Sequence, residues 1–158
     1  MNLTKVLKNA FLIMLASLVL SACATKKVQN QLQGDVYTGS DTVEYLASGV
    51  ADRVFFATNE SVLTTASRET LRKQAEWLRK NSKVNVVLEG HADERGTREY
   101  NLALGERRAN AAKDYLLTYG ISGNRISVIS YGKEKPVNPA STPLAWSQNR
   151  RSVTVKVN

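Results

Sequence analysis

The segment from residue 84 to residue 120 constrains the fold of this chain most, because it sets a strand, a loop and a long helix in direct succession. Residues 84–90 form a β-branched run ending at a glycine, which is typical of a buried strand. The polar loop 91–97 follows, and then a helical pattern over 98–119 that Gly120 can cap. A strand joined so closely to a helix predicts a sheet covered by helices.

Patterns on either side supply the remaining elements. Residues 54–56 form a short apolar run, and residues 65–81 carry apolar side chains at helical spacing. Residues 125–131 predict a third strand, and valines alternating with polar residues over 153–157 predict a last, half-buried one. The order β-α-β-α-β-β predicts an α+β fold, a single two-layer sandwich of a mixed sheet with two helices on one face.

The amino terminus has the pattern of a lipoprotein signal peptide. Lys5 and Lys8 precede an apolar run over 10–20, and small residues then lead to Cys23, the only cysteine. The run is far shorter than the roughly 20 residues that a membrane-spanning helix needs. We expect cleavage after residues 1–22 and a covalent lipid on Cys23. The alternatives are an ordinary secretory leader with a chance cysteine, or a buried thiol in an uncleaved chain.

Residues 23–50 are predicted to be the lipidated amino terminus and a flexible tether, because they are polar and show no sustained apolar period. The folded domain is then predicted to span 51–158. The formal net charge of the chain is +8, which suits an anionic partner. Nucleic acid is disfavoured, because the chain is predicted to be exported and its basic residues are interspersed with acids.

The loop 91–97 is the segment in which to seek function, since it lies where a strand ends and a helix begins. His91 is the only histidine, so a histidine-rich zinc site cannot be assembled. No serine or cysteine stands in a recognisable nucleophile arrangement. We expect no catalytic residue, no metal and no cofactor besides the lipid; a cell-wall hydrolase is the less favoured alternative.

Arg108 falls on the largely apolar stripe of the second predicted helix, which also contains Asn101 and Leu104. A guanidinium on that face needs an acidic partner or a ligand. Asp93, at the start of the same helix, is the nearest candidate. The two residues predict either a small site for a zwitterion or an internal salt bridge that only joins the loop to the helix.

Several ordered motifs resemble the OmpA-like peptidoglycan-binding domain family, and more closely its lipoprotein members that work with the Tol system. The resemblance covers about residues 53–158 and is carried by residues 90–101, 104–111, 130–136 and 149–151. It implies a noncatalytic module that binds meso-diaminopimelate in peptidoglycan stem peptides.

The resemblance also implies roles for individual residues. Asp93 matches an aspartate that holds the diaminopimelate ammonium, and Arg108 matches an arginine that holds its carboxylate. The other candidate ligand-binding residues are Asn101, Leu104 and Thr97. The family usually has an aspartate where this chain has Ala57, which removes one carboxylate from the first strand-end loop.

The location and partners follow from the same resemblance. Ala24 follows the lipidated cysteine in place of the aspartate that would resemble an inner-membrane retention signal. We therefore expect a lipoprotein anchored in the outer membrane, facing the periplasm and binding peptidoglycan, with the propeller protein TolB as its protein partner. A wall-binding lipoprotein outside the Tol-Pal system is the alternative.

Overall fold

Short strands and three helices alternate along the part of the chain that the computed structural model describes, residues 32–33, 35–37 and 45–157. The predicted α+β class is confirmed. The strands are β1 Leu32–Gln33, β2 Val36–Tyr37, β3 Tyr45–Ala47, β4 Val50–Ala51, β5 Arg53–Phe55, β6 Asn85–His91, β7 Ile126–Gly132 and β8 Arg151–Val157. The helices are α1 Thr65–Lys80, α2 Arg98–Thr118 and α3 Pro143–Asn149.

The main sheet has four strands in the order β5-β8-β6-β7. Strands β6 and β7 are parallel, and β8 runs antiparallel to both β5 and β6. Parallel neighbours need a crossover connection, which α2 provides between β6 and β7. Two short antiparallel pairs, β1 with β2 and β3 with β4, precede the sheet.

The core lies between the sheet and the helices α1 and α2. Alternate residues of β6, Val86 and Leu88, are buried against Leu71 and Leu78 of α1 and Leu116 of α2. Every second residue of β6 is thus buried against the apolar faces of α1 and α2, as the sequence pattern predicts.

Each helix begins after a threonine that caps it. The hydroxyl oxygens of Thr64, Thr97 and Thr142 accept hydrogen bonds from backbone N–H groups three residues on, at 3.1–3.2 Å. At the other end of α2, Gly120 adopts φ +80°, the left-handed conformation that a glycine supports after a helix. The predicted end of α2 is thus confirmed.

Strand β6 and helix α2 touch through two glycines. A Cβ atom on Gly90 would lie 1.8 Å from the carbonyl oxygen of Gly105, so neither position has room for a side chain. This close approach brings the next turn of α2, with Arg108, against the carboxyl end of β6. The candidate site is therefore positioned by backbone packing.

The structure differs from the sequence prediction at two places. Helix α3 was not predicted; its proline at the first helical position and Thr142 cap were the available signals. The prediction of an unstructured tether up to residue 50 was wrong in part, because Tyr37 and Leu46 are each only 2% exposed. Isolated apolar residues in polar sequence show no period, so their burial depends on surfaces supplied by distant strands and helices.

Two further predictions concern the amino terminus of the chain. The signal peptide over 1–22 and the lipid site Cys23 lie outside the described residues. Within the described ranges, the structure contains no helix that is both long enough and apolar enough to cross a bilayer.

Candidate functional site

The candidate site lies where β6 ends, and it is held by the loop between β6 and α2. Asn101 donates a hydrogen bond from its Nδ2 to the carbonyl oxygen of Arg95 at 2.8 Å, which ties the loop to the first turn of α2. Gly96 has φ +93° and supplies the turn. Thr97 caps the helix, so two of the predicted ligand-binding residues, Asn101 and Thr97, fix the shape of the loop.

Asp93 is the only acidic residue of this loop that is buried; its side chain is 8% exposed. Arg95 grips both of its oxygens, with Nε 3.0 Å from Oδ1 and Nη2 2.6 Å from Oδ2. Arg150 also reaches Oδ2, from Nη1 at 3.3 Å. Burial alone would raise the pKa of Asp93, but the hydrogen bonds from Arg95, followed by that from Arg150, outweigh it and lower the pKa below its usual value.

Arg95 is the accessible member of this arrangement, with 42% of its side chain exposed. Its guanidinium lies 4.4 Å from the centre of the Trp146 ring, a cation–π contact with helix α3. Trp146 in turn donates from Nε1 to Glu94 Oε1 at 2.8 Å. The unpredicted helix α3 therefore supplies one wall of the site.

Arg150, the residue before β8, lies inside the candidate site beside Asp93. Its side chain is 4% exposed, and Nε donates to the carbonyl oxygen of Phe56 at 3.0 Å. The next residue, Arg151, belongs elsewhere: with His91 it lines a groove of about 740 Å³ that includes neither Asp93 nor Arg150.

Arg108 is fully buried, and its guanidinium is held by backbone carbonyls. Nε donates to Glu60 O at 2.8 Å, Nη1 to His91 O at 2.9 Å and Nη2 to Ala57 O at 2.9 Å. A guanidinium carries five N–H donors, so these three bonds leave two for another acceptor. Burial, reinforced by the nearby charge of Arg150, lowers the pKa of Arg108 to about 10, so it stays charged at neutral pH.

Asp93 and Arg108 do not form the internal salt bridge that the sequence left open. The ion pairs of Asp93 are with Arg95 and Arg150, while Arg108 is satisfied by carbonyls. We call Asp93, Arg95, Arg108 and Arg150 the charged cluster. It holds one carboxylate against three guanidiniums, an excess of positive charge that favours an anionic group in a ligand.

Two other residues that the sequence analysis discussed, Leu104 and His91, are buried. Leu104 is buried, with 3% exposure, on the same face of α2 as Arg108. His91 is 2% exposed, and burial, together with the charges of Arg151, Lys135 and Arg53, lowers its pKa to about 3. The imidazole is therefore neutral at physiological pH and shielded from solvent.

Besides Arg95, sequence reasoning missed Asp35. Its carboxylate Oδ2 accepts a hydrogen bond from the backbone N–H of Thr58 at 2.7 Å and lies 3.6 Å from Arg150 Nη2. Arg150 Nη2 also donates to the backbone oxygen of Asp35. Nothing in the local sequence marks Asp35, because it lies 115 residues from Arg150 in the chain.

The OmpA family matches residues 55–150, which is most of the described domain. The chain belongs to the OmpA family. The matched range contains the whole charged cluster and ends at Arg150, whereas Asp35 lies outside it.

Relatives within the OmpA family are similar over nearly the full chain. The peptidoglycan-associated lipoprotein of Brucella melitensis is 45% identical over 144 residues, which are 88% of this chain and 86% of that protein. The protein of the same name from Rhizobium meliloti is 48% identical over 144 residues, which are 88% of this chain and 82% of that protein. The predicted resemblance is confirmed.

Solved structures agree on the OmpA family fold. The crystal structure of the peptidoglycan-associated lipoprotein from Burkholderia pseudomallei superposes with a TM-score of 0.68 at 31% identity, covering 76% of this chain and 99% of that one. The carboxy-terminal domain of Helicobacter pylori MotB superposes with a TM-score of 0.63 at 20% identity, covering 68% and 84%, which indicates a shared fold.

Proposed function

We propose that this protein binds peptidoglycan without cleaving it, by recognising meso-diaminopimelate in the stem peptide. The proposal is carried by one observation, a buried carboxylate and buried guanidiniums meeting at the end of β6. The free end of the diaminopimelate side chain bears an ammonium and a carboxylate on one carbon. Asp93 would receive the ammonium, and Arg108, with Arg150 beside it, would receive the carboxylate. The OmpA family membership and the name of the relatives support this assignment.

The geometry also indicates what binding requires. Arg95 occupies both oxygens of Asp93, in the position that a ligand ammonium would take. Arg95 is the most exposed member of the charged cluster, so its side chain can move with little loss of packing. We propose that the ammonium displaces Arg95 from at least one oxygen, while Asn101, Thr97 and Leu104 keep the loop and helix in place around the ligand.

Free and amidated stem peptides test this proposal. Amidation of the diaminopimelate side-chain carboxylate removes the charge that Arg108 and Arg150 would hold. A hydrogen bond to a charged group contributes about 1.5–3 kcal/mol, so we expect the amidated peptide to bind about tenfold to hundredfold more weakly in calorimetry. Mass spectrometry should recover both peptides intact. Equal affinity for the two peptides would contradict the site, and cleavage would favour the hydrolase alternative.

We further propose that lipid on Cys23 anchors the protein in the outer membrane, with the domain in the periplasm. One acyl chain gives only marginal membrane binding, so a stable anchor needs the two or three chains that a lipoprotein cysteine carries. The relatives named lipoproteins support this part of the proposal. Together the two attachments would tether the outer membrane to the cell wall.

Substitution of Cys23 tests the anchor. We expect Cys23→Ser to release the protein from the outer membrane, as a periplasmic protein or an uncleaved precursor, because the acyl chains provide the membrane affinity. Cell fractionation with detection of both processed and unprocessed chains is the measurement. Complete retention of a processed Cys23→Ser protein in the outer-membrane fraction would contradict the anchor.

The protein partner is proposed by resemblance. We propose a place in the Tol-Pal system, with TolB as the partner, since the relatives are peptidoglycan-associated lipoproteins. Co-purification of TolB with the full chain would support this place. Its absence, with wall binding intact, would favour a wall-binding lipoprotein outside the Tol-Pal system.

A further inference from the structure

Asp35 presents a carboxylate to the candidate site from outside the residues that the OmpA family matches. Its Oδ2 accepts the N–H of Thr58 at 2.7 Å and lies 3.6 Å from Arg150 Nη2. A backbone N–H and a guanidinium converging on one carboxylate is an arrangement suited to binding a ligand carboxylate. Here the chain itself supplies that carboxylate.

One peptide group links Asp35 to Arg108. The carbonyl oxygen of Ala57 accepts from Arg108 Nη2 at 2.9 Å, and the N–H of the same peptide unit, at Thr58, donates to Asp35. Hydrogen bonds in a chain polarise one another, so the buried charge of Arg108 strengthens Thr58 as a donor. Asp35 therefore occupies an anion position that is connected directly to the proposed ligand carboxylate site.

The segment Asp35–Tyr37 is fastened to the domain by more than this carboxylate. Tyr37 is 2% exposed, and its ring meets Phe55 edge to face, with centroids 4.7 Å apart and planes at 81°. Arg150 also binds the backbone oxygen of Asp35. Asp35 itself stays accessible, with 47% of its side chain exposed. Its carboxylate can therefore move away from Arg150 while the ring of Tyr37 stays packed against Phe55.

The charges of the site favour the position of the Asp35 carboxylate beside Arg150. Asp35 adds a second carboxylate to the one that the charged cluster contains, and thereby offsets part of its positive excess. Burial alone would raise the pKa of Asp35, but the hydrogen bonds from Thr58 and the charges of Arg150 and Arg95 outweigh it and lower the pKa. A ligand carboxylate approaching the cluster meets less attraction while Asp35 is present.

We propose that Asp35 is an internal competitor of the ligand carboxylate, so that the segment leading from the membrane anchor restrains binding at the site. This inference rests on the proposed recognition of a zwitterionic stem peptide. The affinity measured for the protein is then the intrinsic affinity reduced by the fraction of molecules in which Asp35 has left the site.

The test uses the full chain in detergent and a soluble stem peptide that contains diaminopimelate. If Asp35 is released in about a tenth to a third of molecules, Asp35→Ala should bind the peptide about threefold to tenfold more tightly in calorimetry. Asp114→Ala is the matched control, since Asp114 is an exposed carboxylate on α2. The control should leave the affinity unchanged.

A second measurement reports on Asp35 without peptide. The amide signal of Thr58 in the NMR spectrum should move in Asp35→Ala and stay in place in Asp114→Ala. Wild-type and Asp35→Ala proteins that bind with equal affinity would overturn this inference and leave the proposed function standing. Weaker binding by Asp35→Ala would also overturn it and make Asp35 part of the ligand site. Absence of binding by either protein would overturn both proposals.

Discussion

We expect Asp93→Asn to lose most of its affinity for a stem peptide that contains diaminopimelate. The amide has the shape of the carboxylate but no charge, so the ligand ammonium would meet three guanidiniums with no acid among them. Loss of one partner from a buried charge pair costs about 2–5 kcal/mol of binding energy, which is at least about thirtyfold in affinity. Calorimetry with the free peptide is the measurement.

The stability of Asp93→Asn has to be measured beside its affinity. Arg150 is buried and loses the closer of its two anionic partners, while the carboxylate of Asp35 remains 3.6 Å away. We therefore expect the free energy of unfolding to fall by about 2 kcal/mol, less than the about 3–5 kcal/mol for a buried charge left unpaired. Most domains of this size are stable enough to remain folded after such a loss. Asp114→Asn, on the exposed face of α2, serves as the control for both measurements. A folded Asp93→Asn protein that binds like the wild type would rule out Asp93 as the ammonium site.

Arg108→Ala should have the largest effect on stability. The substitution removes the guanidinium from the carbonyl oxygens of Glu60, His91 and Ala57, of which Ala57 O keeps the N–H of Glu60 at 3.3 Å. A buried polar group left unsatisfied costs about 1–3 kcal/mol. The cavity left by the side chain adds to this cost. We expect a total of at least about 5 kcal/mol, comparable with the whole stability of a small domain. Urea denaturation followed by circular dichroism measures it.

Arg107→Ala is a matched control for this experiment. Arg107 is the neighbouring arginine on the exposed side of α2, and its removal should change the free energy of unfolding by less than about 0.5 kcal/mol. The free energy of unfolding of Arg108→Lys should lie between those of Arg108→Ala and Arg107→Ala, because one ammonium cannot reach three carbonyls as a planar guanidinium does. Similar stabilities of Arg108→Ala and Arg107→Ala would contradict the structural role of Arg108.

Because Arg108 stabilises the fold, its substitution cannot by itself test the proposed ligand site. A protein that lacks Arg108 loses wall binding simply by unfolding, so that variant cannot separate a ligand contact from a structural one. The amidated peptide makes the separation, because it removes the charge from the ligand and leaves the domain intact. For the same reason, Asp93 is the better position for substitution.

The elements that were predicted well are those with local signals. The β-branched run that became β6 and the capped pattern of α2 define their own ends through Thr97 and Gly120, within a residue or so of the observed bounds. Asp93 was located in the same way, because it lies in the loop between these two elements.

The parts that were missed depend on residues distant in sequence. Arg150 reaches Asp93 across 57 residues and Asp35 across 115, and no periodicity encodes either contact. The internal salt bridge between Asp93 and Arg108, one of the two alternatives that the sequence left open, is not formed, because backbone carbonyls hold the guanidinium of Arg108. Such carbonyls come from the ends of strands and loops, which become neighbours only when the sheet has formed.

The docking of the segment Asp35–Tyr37 has a mechanical consequence. If Cys23 is fixed in the membrane, Asp35 follows it 12 residues later in the chain, at the end of a leash of at most about 40 Å when fully extended. If the segment detached as far as Tyr45, the first residue of β3, 22 residues would be free, and the limit would rise to about 75 Å. Tension along the leash would pull on the β1–β2 pair, and on Asp35 in the turn between these strands, before it reached the rest of the domain. On the proposed function, a protein stretched between membrane and wall would thereby expose the proposed ligand site, and its affinity for the wall would rise under tension.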